Sequence, residues 1–156
     1  MARAVDDVVL RSMAKWPDVP DVYGWLSLDR RGNWLLRNER IGNLALREFI
    51  ARNYQADARG CWYFQNGPQR VFVTLAYAPL VVRVEAGGLL DHCGRPFALD
   101  QAYLDDEGSV LMKGASGLAL LDDRDLAGFA DRAAGLPTVA RSGVPGRFGF
   151  VENPHP

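Results

Sequence analysis

Hydrophobic runs in the middle third of the chain predict the centre of a β-sheet. Three runs rich in aromatic and β-branched residues lie between Gly60 and Glu85, and they are separated by the turn Asn66-Gly67-Pro68 and by Pro79. This composition, with glycine and proline at the breaks, is typical of β-strands. We therefore expect residues 60–85 to form the buried centre of one sheet.

Alternation of apolar and polar residues predicts a hairpin over residues 22–37. Its turn is Asp29-Arg30-Arg31-Gly32, in which Gly32 suits the left-handed position of a bulged type I turn. This register sets Leu28 opposite Trp34 on a core-like face, and it sets Trp25 and Arg37 on a mixed face. Further hairpins are expected around Cys93-Gly94-Arg95 and around Asp105-Asp106-Glu107-Gly108, with a strand after them at Leu118–Leu121.

Amphipathic spacing predicts helices at residues 3–15, 43–54 and 122–134, with Asn43 and Asp122 or Asp123 as N-caps. The fold class is therefore α+β, a mainly antiparallel sheet of hairpins with about three flanking helices. Residues 1–137 are expected to form a single domain. Residues 138–156 are a Gly/Pro-rich tail in which Arg147–Val151 is a candidate edge strand.

Two of the predicted hairpins resemble each other in sequence. Residues 28–37 can be laid over residues 104–113 with Leu, Asp, Gly and Leu in register. Duplication of a hairpin–helix unit would explain the match. The alternative is that any bulged turn demands Asp-x-x-Gly, which explains it without common ancestry.

Composition argues against several classes of function. The 156 residues carry 18 basic and 19 acidic side chains, so no net field attracts nucleic acid. Two cysteines are too few for a disulfide scaffold, and no apolar run reaches the length of a membrane span. Acids at positions 6 and 7 interrupt any signal-peptide core. We therefore expect a cytoplasmic protein with reduced thiols, no nucleic-acid partner and no membrane association.

The cluster Asp91-His92-Cys93-Gly94-Arg95 is the strongest candidate for catalysis. A thiol beside an imidazole suggests a nucleophile and its base. Adjacent strand residues point to opposite faces, however, which favours a structural turn over a small enzyme built on these residues. The two histidines and two cysteines lack the spacing of a zinc site. Neither a phosphate-binding glycine loop nor a nucleophile elbow is present, so no metal and no cofactor are expected.

Aromatic residues on both faces of the predicted strands suggest a binding surface. Both faces cannot be exposed to water cheaply, so one must meet the helices and the other the tail, a partner or a ligand. The candidate binding residues are Trp25, Trp62, Arg70 and Arg83. The favoured function is a non-enzymatic binding or protein-interaction domain for a protein or small-molecule partner, a second copy of the chain being one candidate.

Four stretches of the sequence resemble a small proteobacterial family. They are Lys15–Pro20, Gly24-Trp25-Leu26, Cys61–Val73 and Tyr103–Gly108. That family is known only as a conserved domain of unknown function, and the resemblance covers nearly the whole chain. It implies a bacterial, intracellular, single-domain protein and supplies no catalytic residues.

Overall fold

The structure, a computed structural model, describes residues 6–8, 11 and 19–156. The helix predicted for residues 3–15 lies largely outside these residues. The described strands are β1 (Val22–Leu28), β2 (Trp34–Leu36), β3 (Glu39–Arg40), β4 (Tyr54–Ala56), β5 (Trp62–Asn66), β6 (Gln69–Leu75), β7 (Leu80–Glu85), β8 (Gly88–Asp91), β9 (Pro96–Phe97), β10 (Leu99–Asp105), β11 (Val110–Gly114), β12 (Gly117–Leu121) and β13 (Thr138–Val139). The described helices are α1 (Leu44–Arg52), α2 (Leu126–Ala133) and α3 (Val144–Phe148).

The strands form two sheets, and each sheet is mixed. Sheet 1 has the order β3-β2-β1-β6-β5-β4, and sheet 2 has the order β13-β10-β11-β12-β7-β8-β9. Most pairs are antiparallel, but β1–β6, β7–β12 and β10–β13 are parallel. The class α+β is therefore confirmed. The expectation of one sheet through residues 60–85 is wrong, because the chain passes from sheet 1 to sheet 2 at Pro79.

The two sheets repeat one topology. In each sheet, two three-stranded meanders meet through a parallel pair: β1 beside β6 in sheet 1, and β7 beside β12 in sheet 2. The meander β1-β2-β3 thus corresponds to β7-β8-β9, and β4-β5-β6 corresponds to β10-β11-β12. The hairpin equivalent to β10–β11 is therefore β4–β5, and not β1–β2 as the sequence overlay suggested. Common ancestry of the two halves stays a hypothesis.

One turn recurs four times and explains that overlay. It begins at Asp29, Asp57, Asp91 and Asp105, and each aspartate Oδ1 accepts from the amides two and four residues later at 2.7–3.0 Å. The glycine three residues after each aspartate has φ between 80° and 84°. That conformation favours glycine, so the spacing Asp-x-x-Gly follows from turn geometry. The predicted pairing of Leu28 with Trp34 around the first of these turns is confirmed.

The two sheets share one buried core. It contains Leu26, Leu28, Trp34 and Val73 from sheet 1, and Leu80, Val82, Leu111 and Leu120 from sheet 2. Polar contacts at the turns join the sheets as well. The Arg30 guanidinium donates to Ser109 Oγ at 2.7 Å, and Arg31 pairs with Asp123 at 2.8 Å. The relative position of the sheets is therefore held by apolar packing and by turn-to-turn bonds.

The helices agree with the sequence better than the tail does. Asn43 Oδ1 accepts from the Leu46 amide and begins α1, and Asp122 caps a 3₁₀ turn that leads into α2. The strand suggested at Arg147–Val151 is wrong, because Val144–Phe148 is the helix α3. The edge strand is instead Thr138–Val139, which pairs in parallel with β10.

Candidate functional site

Rings and arginines stack on the face of sheet 1 turned away from the shared core. Tyr23 lies on Phe72 with 4.8 Å between ring centroids, and Tyr63 packs against Phe72 at 5.5 Å. These rings belong to a separate small cluster with Cys61 and Val151. We call this side of sheet 1 the arginine–aromatic face. It consists of the exposed or half-exposed Tyr23, Trp25, Arg37, Arg59 and Arg70 and of the buried Tyr63 and Phe72.

A bulge in β1 turns Trp25 outward. Val22 pairs with Val71 and Leu26 pairs with Val73, so the three residues Tyr23–Trp25 lie opposite Phe72 alone. Gly24 makes this possible with φ of 78°, a value that residues with side chains rarely adopt. Trp25 is consequently 48% exposed, a high fraction for a tryptophan.

An arginine guanidinium lies over each of three rings of this face. The Arg37 guanidinium lies 3.8 Å from the Trp25 ring centroid, Arg70 lies 4.7 Å from Tyr63, and Arg59 lies 5.7 Å from Phe72. Arg59 also pairs with Asp57. Within the described part of the chain, neither Arg37 nor Arg70 forms an ion pair with a carboxylate. The face therefore combines apolar rings with positive charge that the described residues do not neutralise.

The structure separates the four predicted binding residues. Trp25 and Arg70 lie on the arginine–aromatic face. Trp62 points into the shared core, is 8% exposed and packs on the Tyr54 ring at 4.9 Å. Arg83 is on β7 of sheet 2, where it pairs with Asp125 at 2.9 Å. The alternation of residues in the first hairpin correctly predicted that Arg37 lies on the same face as Trp25. Arg37 was nevertheless not among the predicted binding residues.

His92 and Cys93 line a cleft on another part of the protein. This cleft of about 380 Å³ lies between the β1–β2 turn, the β8–β9 turn and α1, and we call it the His92 cleft. Its lining includes the carboxylate residue Glu48 and the cations Arg47 and Arg52. Gly32 packs tightly here, since a Cβ at that position would lie 2.6 Å from His92 Cβ. Of the cluster suggested for catalysis, His92 and Cys93 are thus half-buried and line a cleft, whereas Asp91 and Arg95 do not line it.

The hydrogen bonds of His92 do not suit a catalytic base. The Val81 backbone N–H donates to His92 Nδ1 at 3.1 Å, so the neutral ring carries its proton on Nε2. Nε2 lies 3.7 Å from Cys93 Sγ. To take the thiol proton, Nε2 would have to be the acceptor while Nδ1 gave up the Val81 bond. The expectation that the two side chains point to opposite faces is wrong, because both lie in the turn after β8 rather than on the strand.

Asp91 serves the turn and not the imidazole. Its carboxylate is 4% exposed and accepts from the Cys93 and Arg95 amides at 2.9 and 3.0 Å. The Arg95 guanidinium reaches the Arg52 carbonyl at 3.4 Å. Among the described residues, no group of three or more His, Cys, Asp or Glu side chains is placed to hold a metal ion.

A second cleft contains residues that the sequence did not indicate. Tyr103 on β10, Lys113 on β11 and Arg147 on α3 border a cleft of about 420 Å³, which we call the Tyr103 cleft. These residues are far apart in sequence and belong to no motif. They come together because α3 packs beside the sheet, and the tail was expected to contain a strand in its place. No sequence signal could have identified this site.

The chain is therefore an α+β protein of two mixed sheets, with an arginine–aromatic face on sheet 1. It belongs to the family DUF2944, described as "Protein of unknown function (DUF2946)", whose model matches residues 5–155. The resemblance to a conserved domain of unknown function is confirmed. Among curated proteins, none matches the chain.

Two crystal structures have a similar fold. One is a DUF1285 family protein from Silicibacter pomeroyi, with a TM-score of 0.52 and 18% identity over 84% of this chain and 78% of that chain. The other is a DUF1285 family protein from Shewanella baltica, with a TM-score of 0.52 and 16% identity over 68% of this chain and 90% of that chain. At these identities the similarity concerns the fold alone. In the described part of the chain, no helix is both long and apolar enough to cross a bilayer.

Proposed function

We propose that this single-domain protein is a non-enzymatic, cytoplasmic bacterial interaction module, and that its arginine–aromatic face binds an acidic segment of a partner protein. The observation that carries the proposal is Trp25, nearly half exposed beneath the Arg37 guanidinium at 3.8 Å. Tryptophan, tyrosine and arginine are the residues that dominate the free energy of protein interfaces.

The charges favour an acidic partner. Arg37 and Arg70 remain without a carboxylate among the described residues, and stacking on Trp25 and Tyr63 holds their guanidinium planes in place. A carboxylate of the partner can then bind a pre-oriented fork of donors, which lowers the ordering cost of association. The half-exposed Trp25 ring supplies apolar area beside these ion pairs, whereas Tyr63 and Phe72 are buried and support the arginines from within the protein.

The alternative is a small enzyme that uses Asp91, His92, Cys93 and Arg95. The His92 cleft favours it, since it brings His92 and Cys93 together with Glu48. The hydrogen bond from the Val81 N–H to His92 Nδ1 weighs against the enzyme. A base that takes up a proton becomes an imidazolium with a proton on both nitrogens, and Nδ1 could not then accept this bond. We therefore favour the interaction module.

A matched pair of variants tests the proposal by quantitative capture from lysate of the native host. Trp25→Ser removes the exposed ring. The control Leu44→Ser removes a leucine that is 59% exposed on α1, where it borders the His92 cleft of the alternative and not the arginine–aromatic face. A partner bound through Trp25 should lose about 2 kcal/mol or more of binding free energy, roughly 30-fold in Kd.

Partners retained by the wild type and by Leu44→Ser, but lost by Trp25→Ser, would support the module. Charge reversal with Arg70→Glu should also abolish their capture. Equal retention by the wild type and Trp25→Ser would contradict the proposal. Sedimentation of the purified protein identifies the case in which the partner is a second copy.

A further inference from the structure

The Tyr103 cleft holds two cations without acidic partners. Lys113 and Arg147 are both exposed and both line the cleft. Across residues 19–156, neither of them is within ion-pair distance of a carboxylate. Among the described residues, Arg31, Arg59, Arg83, Arg124 and Arg141 pair with carboxylates, whereas Arg37 and Arg70 of the arginine–aromatic face do not. The described residues therefore leave the positive charge of the Tyr103 cleft without a neutralising carboxylate.

Packing holds the Arg147 side chain at the cleft. Its guanidinium lies 4.9 Å from the Tyr103 ring centroid and 5.4 Å from the Phe148 ring centroid. The two rings in turn meet edge to face at 5.2 Å. These ring contacts hold the guanidinium at the cleft, and no described side chain takes up its N–H donors as a hydrogen-bond acceptor.

The remainder of the lining is apolar or small. Leu118 is buried in the floor, and Gly114 and Gly117 border the cleft without side chains. The volume of about 420 Å³ lies within the range of about 300–1,000 Å³ that is usual for small-molecule sites. An apolar floor with a few convergent polar groups is the usual composition of such sites.

We propose that the Tyr103 cleft binds a phosphorylated small molecule. A phosphate monoester carries nearly two negative charges at neutral pH and so balances both Lys113 and Arg147, whereas a carboxylate balances one of them. Arg147 supplies the planar fork that fits two phosphate oxygens, and Lys113 supplies a point charge. The Tyr103 hydroxyl is a further donor, and Leu118 contacts the organic part.

Calorimetric titration with adenosine monophosphate, adenosine and benzoate tests the assignment on the intact protein. The variants are Lys113→Met and Arg147→Met. Arg132→Met is the matched control, because Arg132 is also an exposed arginine stacked on a ring, lying 5.4 Å from Phe129 on α2. Trp25→Ser reports separately on the arginine–aromatic face.

Adenosine monophosphate should bind saturably and adenosine at least tenfold more weakly. Lys113→Met and Arg147→Met should each raise Kd about tenfold or more, because each removes charge-assisted bonds. Arg132→Met and Trp25→Ser should leave Kd unchanged. Absence of binding at millimolar ligand, or a Kd that Lys113→Met and Arg147→Met do not change, would overturn the proposal. Preference for benzoate over the phosphate would overturn the choice of phosphate.

Discussion

Replacing Asp105 with alanine should destabilise the protein more than removing the aspartate of any other of the four turns. Asp105 is 4% exposed and accepts from the Glu107 and Ser109 amides at 2.9 and 2.7 Å. Its other oxygen accepts from Tyr77 Oη at 2.7 Å, and Tyr77 is itself 1% exposed. The variant therefore leaves a buried hydroxyl and two amides without their acceptor.

The magnitude follows from burial. A hydrogen bond to a charged group contributes about 1.5–3 kcal/mol, and a buried donor without a partner costs its full desolvation. Allowing for partial relaxation, we expect Asp105→Ala to lower the free energy of unfolding by about 4 kcal/mol. Asp29 supports an equivalent turn in the first hairpin, but it is only half-buried, so water can replace its oxygen as the acceptor. Asp29→Ala should therefore lower the free energy of unfolding by about 2 kcal/mol.

Urea unfolding followed by circular dichroism measures both variants against the wild type. Asp105→Asn is the control, because its amide oxygen can still accept from the two backbone amides and should recover part of the loss. The reasoning would be refuted if Asp29→Ala and Asp105→Ala were equally destabilising, or if Asp105→Asn were no better than Asp105→Ala.

Two further predictions concern pH. Burial of Asp122 favours its protonated form, but hydrogen bonds from the Arg124 side chain and amide outweigh this and lower the pKa of Asp122 to about 2. Because the pKa of Asp122 is lowered in the folded protein, its carboxylate stabilises the fold above about pH 4, and this contribution is lost as the pH falls towards 2. In an acid titration of stability, the wild type should therefore lose about 2 kcal/mol more than Asp122→Asn. Burial, and then the bond to Asp105, raise the pKa of Tyr77 above its usual value. The unfolded chain therefore loses this proton first, stability should fall as the pH rises above about 10, and urea unfolding at pH 9 and 11 should show a smaller fall for Tyr77→Phe.

Local features of the fold could be predicted from the sequence because each rests on neighbouring residues. The turn at Asp29 fixes its own register through Gly32, and Asn43 marks the start of α1 through a side-chain bond only three residues long. The three runs between Gly60 and Glu85 are strands, as their composition indicates. Such features need no knowledge of distant contacts.

The assignment of strands to sheets could not be predicted in this way. Nothing in residues 60–85 indicates that β6 pairs with β1 in one sheet while β7 pairs with β12 in another. The parallel partners are distant in sequence, as Val22 and Val71 or Leu80 and Ala119 show. Likewise, the polar segment after α1 contains β4, whose pairing with β5 outweighs its weak local preference. In the tail, the strand is Thr138–Val139 because these residues pair with the edge of β10 that β11 leaves unpaired.

The candidate site likewise combines features that could be predicted from the sequence with features that could not. Alternation along the first hairpin placed Trp25 and Arg37 on one face, and the structure stacks them at 3.8 Å. Burial of Trp62 and the ion pair of Arg83 depend on sheet 2, which the sequence did not reveal. The contact between His92 and Cys93 depends on their lying in a turn and not on a strand, a difference of one or two residues in a boundary.

The most direct test of the arginine–aromatic face is photo-crosslinking in the native host, with a benzophenone amino acid in place of Trp25 and, as the control, in place of Leu44. We predict a discrete adduct from position 25 alone, joined to an acidic segment of its partner and abolished by Arg70→Glu. The same adducts from both positions, or none from position 25, would contradict the account.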